Sequence, residues 1–442
     1  MSGAVSLILL SHFLTKVEQG YYFTFSDVLA LQVFFELGLA TVLMQYASHE
    51  KAHLNWTPEG KLEGDPVAKS RLASLLRFSL IWYGVVAVLA LLFVLPAGAL
   101  FFGKYHIAKE TISWQLPWVW IVLVTAGSLA ITPLLAVLEG CGLIAQIAGV
   151  QMQQNLIGSI LFWITLFRGW KLSSAPVTNT VVMAGSMMWL WKRHRHMLSD
   201  LLRFHHPNST IHWRREVLPM QWRTALIWLS SYLVIRSFDP ILFATRGPAA
   251  AGQMGMSLAV MSAIAAISLA WVTTKAAPFG MLIARRDFVM LDSLFFPCLW
   301  QSLGVEMILG ALFWTGSLLL RTTHSQLGMR LLPPLPMGLL VGTTIVYHLF
   351  YTESIYLRAH KQEPFLGITI ITGILVSAGA LLMARPFGAT GILLAYFTAT
   401  ILLELGVGTL IFIKKRTQWH APGYLFTTGS ASLLELPEQE KV

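Results

Sequence analysis

Ionisable side chains inside long apolar stretches are the residues of this sequence best suited to chemistry. Arg236 and Asp239 stand three residues apart, a spacing that puts both on one face of a helix, where they can pair. An ionised group at membrane depth costs roughly 2.5–3.5 kcal/mol on insertion scales, so each one needs a reason. One interpretation is a self-neutralising pair that joins helices. The other is a binding site, in which Arg236 faces a central cavity and holds an anionic head group, while Asp239 tunes or releases it. Pro240 lacks a backbone N–H and is expected to kink the helix beside them.

Carboxylates in apolar stretches form a second group of candidates. The candidate ion- or proton-coupling residues are Glu36, Glu306, Glu353 and Glu404. The last three, together with His348, lie within or near predicted spans of the second half, and buried carboxylates and histidines can titrate near neutral pH. The alternative for each is a pair with another side chain, or contact with water at a helix end. Asp27 is expected to be such a solvated helix end.

Known catalytic and metal-binding patterns are missing from the sequence. It contains no GxSxG elbow, P-loop or HExxH motif, so we predict a protein that is not an enzyme and needs no cofactor or metal. Cys141 and Cys298 form neither a disulfide framework nor a metal spacing. The net charge of +10 does not indicate nucleic-acid binding, because membrane proteins retain Lys and Arg on their cytoplasmic loops.

The composition indicates that these residues are positioned by membrane helices. Of the 442 residues, 55% are hydrophobic and only 12% are charged, and the mean hydropathy is +0.65. Soluble domains carry about 25% charged residues, because a surface in water needs them. A single soluble core stops growing at about 250–300 residues, so burial in one large core does not explain the deficit. Most of the chain must therefore face lipid or other helices.

The apolar stretches predict an all-α, polytopic transmembrane bundle of about 12 helices in two six-helix lobes. A spanning helix needs roughly 20 mostly apolar residues. On that rule the predicted spans are 3–15, 23–47, 74–101, 114–138, 148–168, 174–191, 222–245, 249–273, 293–320, 334–356, 364–384 and 387–413. The first span is short. Most of the 31 Lys and Arg residues fall on one side of this map, which predicts that both termini are cytoplasmic.

The predicted domain organisation follows the longest polar interruption. It places an N-terminal lobe at 1–191, a basic cytoplasmic connector at 192–221, a C-terminal lobe at 222–413 and a cytoplasmic tail at 414–442. The connector is rich in Arg and His. A long cytoplasmic connector between two six-helix halves is typical of secondary transporters.

Several stretches resemble the polysaccharide (O-antigen, Wzx-type) flippases of the multidrug/oligosaccharidyl-lipid/polysaccharide exporter superfamily. In the N-terminal part they are Glu18-Gln19-Gly20-Tyr21-Tyr22, Phe35-Glu36-Leu37-Gly38-Leu39, Gln45-Tyr46-Ala47 and Leu138-Glu139-Gly140-Cys141-Gly142 running into Gln151 to Gly158. In the C-terminal part they are Gly252-Gln253-Met254-Gly255-Met256-Ser257, Ala277-Pro278-Phe279 and Arg285-Arg286-Asp287. Recognisable sequence similarity of this kind covers about a quarter of the chain. The drug exporters of the superfamily share the same twelve-helix architecture.

The resemblance implies two lobes that alternate access and a cargo of undecaprenyl-pyrophosphate-linked glycan, moved from the cytoplasmic to the outer leaflet. It further implies a bacterial cytoplasmic membrane location and contacts with membrane lipids and polysaccharide assembly enzymes. We expect a monomer. A proton- or sodium-coupled drug or metabolite antiporter of the same superfamily is the alternative. A membrane-embedded polymerase or ligase would need a long outer loop, which the sequence does not predict.

Overall fold

The structure is a computed structural model, and it describes residues 2–36, 38–105, 112–206, 211, 213–360 and 362–421. Leu37 of the flippase-like stretch lies outside the described residues. So do several residues of the predicted connector and residues 422–442 of the predicted tail.

The N-terminal half consists of helices and one small hairpin. Its α-helices are α1 (Ser2–Phe13), α2 (Lys16–Leu29), α3 (Val33–Glu36), α4 (Leu39–Lys51), α5 (Pro66–Leu89), α6 (Leu95–Lys104), α7 (Gln115–Leu138), α8 (Ile144–Phe167), α9 (Val177–Trp189) and α10 (Arg195–Arg203). Its 3₁₀ segments are Ala30–Gln32 and Lys171–Ser174, and its π-helical segments are Ala90–Val94, Glu139–Leu143 and Leu190–His194. Strands β1 (Leu54–Trp56) and β2 (Leu62–Gly64) pair antiparallel in a hairpin that the sequence analysis did not predict.

The C-terminal half is helical as far as the structure describes it. Its α-helices are α11 (Trp213–Glu216), α12 (Leu218–Ile235), α13 (Phe238–Arg246), α14 (Pro248–Thr273), α15 (Ala276–Ala284), α16 (Phe288–Thr322), α17 (Pro334–Ala359), α18 (Leu366–Ala399) and α19 (Thr409–Trp419). A 3₁₀ segment covers Gly328–Arg330, and a π-helical segment covers Thr400–Gly408.

Two glycines reverse the chain inside long helical runs. Gly142 has φ +94° and Gly388 has φ +61°, a region that glycine enters without a steric penalty. Beyond Gly388 the two arms of α18 pack on each other, because a Cβ at Gly379 would meet the side chain of Ala395. Each long run therefore crosses the molecule twice, as the predicted pairs of spans require.

Helix length and composition support a membrane location. Among the described residues, six helical segments are long and apolar enough to cross a membrane: Pro66–Lys104, Gln115–Phe167, Pro248–Ala284, Phe288–Thr322, Pro334–Ala359 and Leu366–Trp419. Large apolar side chains such as Leu100 and Leu382, which are 75% and 76% exposed, cover the outside of the bundle. An outer surface of this kind is stable in lipid and not in water. The predicted all-α membrane bundle is confirmed.

The two ends of the bundle are distinguished by the elements that they hold. We call the end that holds the β-hairpin, the turn at Gly142 and residues 192–206 and 213–217 the connector end, and the opposite end the far end. At the far end α2 packs directly on α14: a Cβ at Gly20 would overlap the backbone carbonyl of Pro248, and a Cβ at Gly252 would meet the backbone of Gly20. Small residues permit helix backbones to approach this closely. The two halves are therefore in close contact at the far end.

Candidate functional site at the interface of the two halves

The start of α2 is determined by its own sequence, and the position of this start sets the depth of the residues that follow along the helix. The Thr15 hydroxyl accepts a hydrogen bond from the Glu18 backbone N–H at 3.1 Å, and the Glu18 carboxylate accepts one from the Thr15 N–H at 2.8 Å. This reciprocal capping box begins the helix at Lys16. From there Asp27 lies about 16 Å along the helix axis, at roughly 1.5 Å per residue. That depth is near the middle of a hydrocarbon layer of about 30 Å.

Asp27 meets Arg236 across the two halves of the molecule. Arg236 Nη1 lies 3.0 Å from Asp27 Oδ1, and the Tyr232 hydroxyl donates to the Asp27 backbone carbonyl at 3.3 Å. The Asp27 side chain is only 8% exposed, whereas that of Arg236 is 54% exposed. The expectation that Asp27 is a solvated helix end was wrong, because α13 and α14 cover it from the other half.

The predicted pair of Arg236 with Asp239 does not form. The chain leaves the helix between α12 and α13, since Pro240 lacks the N–H that would bond to the Arg236 carbonyl. Arg236 therefore lies in the break that follows α12, whereas Asp239 lies in the first turn of α13. The predicted kink is thus confirmed, and it is the reason that the predicted pair is wrong. Asp239 is 1% exposed and its carboxyl contacts that of Asp27 instead.

This cluster of Arg236, Asp27 and Asp239 has a definite chemical character. Two carboxyls in contact repel each other strongly when both are ionised, so one guanidinium and one proton balance the pair. The exposed guanidinium can also bind a second anion, because it has five N–H donors in a planar fork. Gly255 makes the packing possible, since a Cβ there would collide with the Asp239 carboxyl and with Phe23.

The backbone beside the cluster is not regular helix. Between α2 and α4 it runs through the 3₁₀ segment Ala30–Gln32 and a short helix, and Gly38 has the left-handed φ of +66°. Interrupted helices at membrane depth occur where backbone groups line a cavity or a binding site. Glu36, at the end of α3, accepts a hydrogen bond from the Tyr83 hydroxyl at 2.9 Å.

The other predicted carboxylates, Glu306, Glu353 and Glu404, lie in the C-terminal half. Glu306 is fully buried, with His348 Nδ1 at 3.7 Å from its Oε2 and the Ser268 hydroxyl beside it. Glu353 accepts a hydrogen bond from the Thr409 hydroxyl at 3.3 Å, and Glu404 is 2% exposed in the π-helical segment. The structure thus brings Glu306 together with His348 but does not gather the four glutamates. Within the described ranges, no three His, Cys, Asp or Glu side chains are arranged to hold a metal ion.

Polar contacts hold the two halves together at the far end. Arg330, which the sequence places in an exposed loop, is only 8% exposed. It donates to the Gln19 side-chain carbonyl at 3.2 Å and to the Leu14 backbone carbonyl at 2.5 Å. Gln19 in turn donates to the Gly252 carbonyl at 2.7 Å. These residues were missed because a loop arginine carries no sign of a distant partner.

A similar set of contacts holds the connector end. Arg71 donates to Glu50 at 2.8 Å and to Glu216 at 2.6 Å, and the Tyr46 hydroxyl donates to the Glu216 backbone carbonyl at 2.5 Å. Glu216 ends α11, so these contacts attach the end of the connector to the N-terminal half. Lys69 adds an ion pair with Asp200 at 2.8 Å.

An apolar cleft of about 560 Å³ is lined by residues of α1, α2, α14 and α16. Its lining includes Leu7, Phe23, Val260, Ala263, Phe313 and Gly316. The cleft runs along the interface of the two halves. It lies beside the cluster of Arg236, Asp27 and Asp239, because Phe23, which lines the cleft, is one helical turn from Asp27 on α2.

An all-α membrane bundle of two contacting halves, with a charged cluster at membrane depth between them, is an architecture found among secondary transporters. No protein-family model and no curated protein matches the chain. Solved structures do. A multidrug resistance MATE family transporter of the MOP superfamily, in an inward-facing conformation, matches with a TM-score of 0.59 and 14% identity, over 94% of this chain and 96% of that chain.

Two further solved structures are similar. The lipid II flippase MurJ in an inward closed conformation gives a TM-score of 0.56 and 14% identity over 95% of this chain and 89% of its own. The MATE multidrug transporter DinF-BH gives 0.53 and 13% identity over 94% and 91%. The chain therefore has the fold of MOP superfamily transporters. The narrower resemblance to polysaccharide flippases stays a prediction.

Proposed function

We propose that this chain is an alternating-access flippase that moves an undecaprenyl-pyrophosphate-linked oligosaccharide from the cytoplasmic to the outer leaflet for surface polysaccharide biosynthesis. The observation that carries the proposal is the half-exposed guanidinium of Arg236, held at membrane depth between the halves by the buried Asp27. A pyrophosphate needs a cation of this kind, and a guanidinium binds phosphate oxygens in a bidentate manner.

The surroundings of Arg236 fit the rest of such a cargo. The apolar cleft between the halves offers the isoprenoid an apolar path beside the charged cluster. The close contacts of Gly20 with Pro248 and of Arg330 with Leu14 close the far end. We place the connector end in the cytoplasm, because the excess of Lys and Arg falls there. The cargo would then enter from the cytoplasmic leaflet and leave after the far end has opened.

The test is the lipid-linked glycan content of cells that lack this protein, measured by mass spectrometry of extracted lipids together with leaflet accessibility. We expect a complete, inward-facing undecaprenyl-linked glycan to accumulate while surface polysaccharide is lost. Unchanged lipid-linked glycans would refute the proposal.

A coupled drug or metabolite antiporter is the second candidate. It is favoured by the carboxyls of Asp27, Asp239 and Glu306, which are buried at membrane depth and suit proton or cation coupling. New sensitivity of the deletion strain to small cationic drugs, with normal lipid-linked glycans, would support it.

A further inference from the structure

A second cavity, of about 260 Å³, lies inside the N-terminal half. Hydroxyl and amide groups form most of its polar lining: Ser6, Tyr22, Ser26, Ser159, Thr178 and Asn179. These residues come from α1, α2, α8 and α9, far apart in sequence, so the fold gathers them. We call it the polar cavity.

The polar cavity and the apolar cleft adjoin each other. Both are lined by Gly3, Ser6 and Tyr22, so α1 and one face of α2 form their common border. Their volumes are close to or within the range of roughly 300–1,000 Å³ that is usual for small-molecule sites. One molecule with a polar and an apolar part can therefore lie across both.

The lining of the polar cavity selects the chemistry of the polar part. Among the described residues that line it there is no carboxylate and no cation, so they offer neither an anion nor a metal ion a charged partner. Hydroxyl and amide groups both donate and accept hydrogen bonds, which suits a neutral ligand with many hydroxyls. The Tyr22 and Phe162 rings, with centroids 6.1 Å apart, add an apolar face of the kind that packs on a sugar ring.

The cavity also has the right position relative to Arg236. Ser26, which lines it, is the residue before Asp27, the ion-pair partner of Arg236. The polar cavity and the ion pair therefore lie at the same level of α2, within one residue of each other along the helix.

We propose that the polar cavity of the N-terminal half binds the first sugar residues of the cargo, while the apolar cleft takes its isoprenoid. The inference rests on the proposed function, because it divides that cargo between two cavities. It adds that the site for the sugar is uncharged and belongs to the N-terminal half alone.

Photoaffinity labelling tests this division. Two analogues of a polyprenyl-pyrophosphate disaccharide would carry a diazirine, one on the sugar and the other on the isoprenoid. The full-length protein in lipid nanodiscs would be irradiated with each and digested, and the labelled peptides identified by mass spectrometry. We expect the sugar diazirine to label α8 and α9 near Ser159 and Asn179, and the isoprenoid diazirine to label α14 and α16 near Ala263 and Gly316.

Variants provide an independent measurement. Ser159→Leu and Asn179→Leu are each expected to weaken binding of the disaccharide analogue about tenfold, the cost of one or two lost hydrogen bonds, and to leave binding of sugar-free polyprenyl pyrophosphate unchanged. Thr398→Leu, the same kind of change at an exposed hydroxyl of α18, is the matched control and should alter neither.

The outcomes separate the two proposals. If the isoprenoid diazirine labels the cleft but the sugar diazirine labels only the C-terminal half, the polar cavity is not the sugar site, although the flippase proposal stands. If neither analogue labels the protein above a sugar-free and pyrophosphate-free lipid control, both proposals fail. Labelling of the unaltered protein decides the question even where a variant does not fold.

Discussion

Replacing Arg236 by alanine gives the sharpest test of the candidate site. The change removes the half-exposed guanidinium and leaves Asp27 and Asp239 in contact without a cation. The two carboxyls can then bind a second proton and become neutral, so we expect the protein to stay folded in the membrane. The proposed cargo, in contrast, would lose the cation to which we assign its pyrophosphate.

The size of the effect follows from the kind of bond that is lost. A hydrogen bond to a charged group contributes about 1.5–3 kcal/mol, which corresponds to a loss of roughly 10–150-fold in affinity. The buried Asp27 does not limit this estimate, since the guanidinium is 54% exposed and has donors left for a second anion. Arg236→Lys keeps the charge but loses the planar fork, so an intermediate loss is expected.

The assay is binding and flipping of a fluorescent polyprenyl-pyrophosphate glycan in proteoliposomes, with leaflet accessibility as the readout. Arg385→Ala, which removes an exposed arginine at the far end, is the matched control and should behave as the unaltered protein does. An Arg236→Ala protein that inserts stably and still moves the glycan at the normal rate would refute the assignment of this residue.

Three further predictions concern parts of the structure away from the guanidinium. A leucine side chain at Gly20→Leu cannot fit against Pro248, so we expect the far end to stay open. Cysteines introduced at the far end should then react faster with a membrane-impermeant thiol reagent. Unchanged reactivity would contradict the role of this contact. Glu306→Gln is expected to abolish any dependence of transport on a pH gradient while cargo binding stays normal, whereas a normal dependence would remove Glu306 from the coupling path. Arg71→Ala breaks two ion pairs, so residues 192–217 should become more sensitive to limited proteolysis, and equal cleavage rates would show that the pairs do not hold the connector.

The helices were predictable from the sequence, and the interruptions within them mostly were not. A long apolar run predicts a membrane helix without any knowledge of the helices that pack on it, since the lipid around it is apolar along its whole length. The 3₁₀ segment at Ala30–Gln32 and the left-handed Gly38 carry no such signal, because their conformations depend on what packs against them. Pro240 is the exception: its missing N–H acts locally, and the break that it predicts is present.

The candidate site was predicted only in part, because its residues stand out locally in the sequence but their partners are distant along the chain. Arg236 and Asp239 stand out because they are ionisable groups in apolar surroundings, but the sequence favours a local pair. The actual partner of Arg236 is Asp27, which lies 209 residues earlier, in the other half of the chain. A local sequence pattern cannot predict a contact between residues so far apart. Arg330 and Gln19 were missed at the far end because their partners are equally distant in sequence.

The ion pair between Asp27 and Arg236 has a consequence for the proposed function. One ion belongs to α2 of the first half and the other to the junction of α12 and α13 in the second, so movement of the halves apart at this depth would pull the pair apart. If the protein is the flippase that we propose, that step without cargo would leave an acid and a cation unmatched in a poor solvent. A bound diphosphate would take the place of the aspartate, so the halves would separate more readily when cargo is present. The exchange of one counter-ion for another would then couple opening to the presence of cargo.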